Sequence, residues 1–253
     1  MEIFLDTSVV IDYFYPYAQP NAERVKLVQE FVNSNKARNQ VIIPREVLKE
    51  IETLIKDALS QVSDLMHKHI IDNKEIDWDA IELSERLKVL QDLIDNYDAY
   101  LEELSKDRRI RTTQFRRAFG KRLFAQYKTY LSNQPKKKLE DIFNDELADR
   151  LIKEFERLIN YSLSIKVDGI EKTAMSKDCL NKIISILKDD HDFKILLEVI
   201  FKHANHVNED YSIVTMDQRD FYAIKKKLDN IECLNKIAGL DKIRIETLSR
   251  SVQ

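Results

Sequence analysis

Five carboxylates stand where a folded α/β chain could bring them together. Asp6 follows the apolar run Ile3-Phe4-Leu5, Asp217 follows Ile213-Val214-Thr215-Met216, and Asp220 comes three residues later. Glu50 lies six residues after Pro44, about one and a half turns into the helix expected there. Asp192 opens the apolar stretch Phe193 to Phe201, ahead of the segment that ends at Asp217. A carboxylate set without histidine or cysteine is a hard-ligand set, suited to Mg²⁺ or Mn²⁺. Packed together, such charges repel one another unless a divalent ion neutralises them. The chemistry this suits is phosphodiester hydrolysis, with one ion lowering the pKa of an attacking water and a second steadying the leaving oxygen. Taken singly, each aspartate is explained more simply as a helix N-cap. The combination carries the reading.

Positioning these acids requires strands that end together. Residues 2 to 5 read as a short buried strand, after which Asp6-Thr7-Ser8 caps an apolar helix through Val9, Val10, Ile11, Tyr13 and Phe14. Asn21 caps a second helix to about Asn35. Val41-Ile42-Ile43 predicts a parallel strand, and Pro44 is placed at the first position of a helix carrying Val47, Leu48, Ile51, Leu54, Ile55, Ala58, Leu59 and Val62. Strands recur at Ser212–Thr215 and Lys242–Ile245. Between them, from about 60 to 185, the pattern reads as almost wholly helical, with Leu83, Leu87, Leu90, Ile94, Tyr97, Leu101 and Leu104 as one seam of a helical hairpin. The predicted fold is α/β, a central parallel sheet flanked by helices and interrupted by a large all-helical insertion. Its parts are residues 1–58 and 186–253 for the core and 59–185 for the insertion. In an open parallel sheet, ligands gather at the carboxyl ends of the strands, where these acids lie.

Composition narrows the classes. The 253 residues include only three glycines and four prolines, too few for the frequent turns of an all-β sandwich. No apolar run approaches a membrane span, and the start lacks the basic flank of a signal peptide. Cys179 and Cys233 form no CxxC, so neither a disulfide framework nor a zinc knuckle is read. The expectation is a soluble, cytoplasmic protein without a membrane partner.

The net charge of −3 conceals an asymmetry. Residues 106 to 138 hold twelve Lys and Arg against one acid, Asp107, a local charge of +11 that leaves −14 for the remainder. Among the cations are Arg108, Arg109, Arg111, Arg116, Arg117, Lys121, Arg122 and Lys128, interleaved with Phe115, Phe119, Phe124, Tyr127 and Tyr130. Cations with aromatic side chains suit phosphate contact and base stacking on a single strand. The plainer reading is a helix whose charges pair with the acidic remainder. Its Phe115, Phe119, Leu123, Tyr127 and Leu131 recur at the spacing of a core-facing stripe.

Three segments resemble the motifs of the PIN-domain nuclease family. They are Phe4-Leu5-Asp6-Thr7-Ser8, Ile43-Pro44-Arg45-Glu46-Val47-Leu48-Lys49-Glu50-Ile51, and Val214-Thr215-Met216-Asp217-Gln218-Arg219-Asp220-Phe221. They fall within residues 1 to about 55 and 186 to 250. The resemblance implies metal ligation by Asp6, Glu50 and Asp217, with Asp220 a supporting acid and Ser8 and Thr215 hydroxyl partners. The family's third acid opens a helix before the last motif. Asp192 fits that place best, with Asp189 and Asp190 as rivals. The implied function is a Mg²⁺- or Mn²⁺-dependent endoribonuclease acting on single-stranded RNA, with single-stranded DNA the alternative substrate. A different class keeps the fold without the reaction, as a catalytically silent RNA-binding or regulatory module. The helical insertion offers a surface for a protein regulator or a second copy. His191-Asp192 also suggests an HD phosphohydrolase, but that fold is wholly helical and leaves the strands unexplained.

Overall fold

The computed structural model describes residues 1–71, 80–108, 114–133, 145–161, 165–168, 191–205, 210–216 and 243–248, with positions 78, 178, 181, 182, 185, 223 and 226. They divide into two compact units, Met1–Ile51 with Arg157–Gln253, and Glu52–Glu156.

The first unit is α/β. Strands β1 (Glu2–Leu5), β2 (Gln40–Pro44), β3 (Ile165–Asp168), β4 (Tyr211–Thr215) and β5 (Ile243–Thr247) form one sheet in the order β3-β2-β1-β4-β5. Every neighbouring pair is parallel. Central β1 aligns Glu2 with Gln40 on one side and with Tyr211 on the other. All residues of β1 and β4 are buried. That is the expected state of a strand covered on both faces, and it explains why apolar residues stand side by side in Ile3-Phe4-Leu5 and Ile213-Val214 rather than alternating with polar ones. The strand order reverses between β1 and β4, because the chain leaves β1 towards β2 and β3 and then returns to the other side.

The helices of this unit are α1 (Thr7–Phe14), α2 (Ala22–Asn35), the start of α3 (Arg45–Met66), and α8 (His191–Asn205); α4 to α7 are given below. Asp6 and Asn21 cap α1 and α2 as their sequences predict. Asp12 of α1 is buried and held by Arg24 of α2 at 2.5 Å and by Gln19 at 3.3 Å. The α8 helix is fixed to β1 by the Lys202–Glu2 ion pair at 3.2 Å, with the ammonium 5.6 Å from the Phe4 ring centre. Two expectations are corrected. Pro44 closes β2 and α3 starts at Arg45, one residue later than placed. Strand β3 lies inside the stretch read as helical, paired with β2 from Val41↔Ile165 to Pro44↔Asp168.

The second unit is helical among its described residues, with the rest of α3, α4 (Leu83–Asp95), α5 (Tyr97–Arg108), α6 (Gln114–Asn133) and most of α7 (Asp145–Tyr161). The seam read from Leu83 to Leu104 runs over two helices, α4 and α5. It breaks at Asn96, whose side chain turns back to Asp92, donating to its carboxylate at 2.7 Å. Leu90, Leu93, Tyr97 and Leu101 are buried across the break. Four aromatic residues of α6 face the core. Phe115, Phe119, Phe124 and Tyr127 are all buried, and burial pushes the Tyr127 hydroxyl up to about 12. These four rings are packing residues, so the expectation that they stack on bases is corrected. No described helix is long and apolar enough to cross a membrane.

Candidate metal-binding site at the strand ends

The site begins with a geometric consequence of parallel strands. When β1 and β4 run side by side, the residues just past their carboxyl ends meet at the point where strand order reverses, the usual ligand crevice of such sheets. Asp6 occupies that place, its backbone N–H donating to Val214 O at 3.0 Å.

Asp6 is only 4% exposed, and its carboxylate is held on both oxygens. Oδ1 accepts the Thr7 N–H at 2.7 Å. Oδ2 accepts the hydroxyls of Ser8 at 2.7 Å and Thr215 at 2.9 Å. The Ser8 hydroxyl in turn accepts the Met216 N–H at 3.1 Å, so the ends of β1 and β4 are joined through one side chain. Burial raises the Asp6 pKa above the ordinary carboxylate value, and the four hydrogen bonds from Ser8, Thr215 and the Thr7 and Ser8 backbones only partly offset it.

Glu50 enters from α3. Its Oε2 accepts the Thr7 hydroxyl at 2.5 Å, so Thr7 bridges the two carboxylates, holding Asp6 with its N–H and Glu50 with its Oγ1. Glu50 is half-buried. Two all-oxygen side chains beside a hydroxyl make a donor set that fits a hard cation.

The remaining candidates are placed unequally. Asp192 is the second residue of α8, with only its backbone described. Asp189, Asp190, Asp217 and Asp220 lie outside the described residues. Among the described residues no three His, Cys, Asp or Glu side chains gather closely enough to share an ion. Of the basic candidates, Arg109 and Arg111 also lie outside, and Arg108 ends α5 with only its backbone described. Arg116 pairs with Asp57, Arg117 with Glu102 at 3.3 Å, and Lys128 donates to Gln91. Lys121 is half-buried and Arg122 exposed.

One acid escaped the sequence reading. Glu198 of α8 is buried, and its Oε1 accepts the Arg45 N–H at 3.2 Å at the start of α3. An acid inside the run Ile195 to Ile200 is the available signal, since an inward-facing charge needs a partner. Compared with known proteins, the chain matches no family model, no curated protein and no solved structure.

Proposed function

We propose that the chain is a PIN-like, metal-dependent endonuclease that hydrolyses phosphodiester bonds in single-stranded RNA, with single-stranded DNA the second-ranked substrate. The observation that carries this reading is the buried Asp6 carboxylate at the reversal of strand order, bridged to Glu50 through Thr7. A cation beside it would offset the burial that raises the Asp6 pKa, because an opposite charge favours the ionised form. Asp6 and Glu50 would hold Mg²⁺ or Mn²⁺, joined by Asp192 and Asp217 with Asp220 in support. When bound, the ion supplies positive charge against the negative charge that develops on the phosphodiester. The chain's own part is orientation. Ser8 and Thr215 stop the Asp6 carboxylate from rotating, and Thr7 holds Glu50 beside it. Water is the nucleophile, and no side chain needs to form a covalent intermediate.

A second reading follows from the same residue. Asp6 is the N-cap of α1, a structural duty that requires no ion and suits a silent RNA-binding module. Asn caps a helix about as well as Asp, so Asp6→Asn separates the two. Labelled single-stranded RNA and DNA are incubated with Mn²⁺, with EDTA, and with the variant. The nuclease reading expects cleavage by the native chain with Mn²⁺ and at least a hundredfold loss, roughly, in the folded variant. Undiminished cleavage in EDTA or in the variant defeats the mechanism, and tight RNA binding without turnover under any divalent ion favours the silent module.

A further inference from the structure

Glu198 sits on α8 among Ile195, Leu196, Leu197, Val199 and Ile200, all buried, and is itself only 2% exposed. Its bond to the Arg45 N–H spans 153 residues of chain. Arg45 opens α3, and Pro44 before it has no polar side chain with which to cap the helix. The first amides of a helix have no partner within it. An acceptor oxygen from another helix meets that need at Arg45. Five residues further along α3, Glu50 takes the Thr7 hydroxyl beside Asp6.

We propose that Glu198 is a positioning residue. By fixing the first turn of α3 it sets where the Glu50 carboxylate stands relative to Asp6. It acts through the Arg45 backbone rather than as a ligand, since Asp6, Glu50 and Glu198 do not gather into one group able to share an ion. The inference rests on the reading of Asp6 and Glu50 as metal ligands.

The test compares the native chain with Glu198→Ala, Glu198→Gln, Arg45→Pro and Asp6→Asn. Mn²⁺ affinity is read from the resonance of the free ion, and hydrogen exchange of the amides at 46–48 is read in metal-free protein. Glu198→Ala should weaken Mn²⁺ binding about tenfold, the lower end for supporting residues of metal sites, and should speed exchange in the first turn. Glu198→Gln keeps an acceptor oxygen and should stay near native on both. Arg45→Pro removes the donor instead, at a position that tolerates proline, and should weaken Mn²⁺ binding as Glu198→Ala does even if the alanine variant fails to fold. Native-like binding in Glu198→Ala or Arg45→Pro overturns the positioning role alone, provided that Asp6→Asn loses the ion. Equal losses in Glu198→Gln and Glu198→Ala overturn it too, because the charge and not the acceptor is then what matters. If the native chain and Asp6→Asn bind Mn²⁺ alike, the metal reading itself fails.

Discussion

A carboxylate buried at Asp6 is costly, and the donors around it measure how the chain meets that cost. Thr215 is the most informative of them, being fully buried itself and reaching Asp6 from another strand at 2.9 Å. Thr215→Val keeps the shape and removes the donor, and the loss of a hydrogen bond to a charged group should destabilise the metal-free protein by about 1–3 kcal/mol near neutral pH. The pH dependence has a definite sign. An acid whose folded pKa lies above its unfolded value of 3.8 holds its proton longer in the folded state, so stability falls as pH rises from that value through the folded pKa. Removing Thr215 Oγ1 raises the folded pKa further. Urea unfolding in EDTA should therefore show a larger deficit near pH 7 than near pH 4, and an equal deficit at both would mean that Asp6 is not the group affected. Asp6 and Glu50 were legible in the sequence because each stands at a fixed offset from an apolar strand. Glu198 was not, since periodicity marks it only as one polar residue in an apolar helix, and its partner is a backbone amide that no side-chain pattern records.

Elements show the same division between local and distant causes. Strands β1, β2 and β4 were readable because burial on both faces writes itself as adjacent apolar residues. Strand β3, Ile-Lys-Val-Asp, is four residues long at the sheet edge, and only its pairing with β2 makes it a strand. Helix α6 was legible as a helix, while the choice between core and nucleic-acid face for Phe115, Phe119, Phe124 and Tyr127 was settled by packing. Phe115 and Phe119 stack at 5.3 Å, and Phe124 meets Tyr97 edge-on at 5.7 Å. That packing uses one glycine. A Cβ on Gly120 would fall 2.0 Å from the Tyr97 hydroxyl oxygen and 2.8 Å from the ring carbon bearing it. Gly120→Ala gains about 1 kcal/mol of helix propensity but forces a buried tyrosine aside, and overpacking of about 1–3 kcal/mol should prevail. Thermal unfolding should show a net loss. Tyr97→Phe in the same chain should recover only part of it, because the ring carbon stays too near. A stabilised single variant would mean that Tyr97 moves freely, contrary to a ring buried between α6 and its neighbours.

The division of charge across the chain gives the nucleic-acid reading its remaining footing. With four α6 aromatics committed to the core, any single-strand contact by this helix would rest on charge more than on stacking, and Arg116 and Arg117 already have partners. Arg116 and Arg117 are paired with Asp57 and Glu102 inside the helical unit. Reversing them to glutamate would oppose those acids directly and unsettle the helices, so a loss of RNA binding would be ambiguous. Lys121 and Arg122 serve as the probes, Arg122 being exposed and Lys121 half-buried. Each phosphate contact on a single strand contributes about 0.7 to the slope of log affinity against log salt. Lys121→Gln with Arg122→Gln should therefore flatten that slope by roughly 1.4 if both touch phosphate. Turnover at saturating RNA should be unchanged while the half-saturating concentration rises, since the proposed chemistry rests on Asp6 and Glu50. An unaltered slope would make α6 a structural helix whose positive charge balances acids of its own protein, and would leave substrate capture to the cations at 106–113 and 136–138.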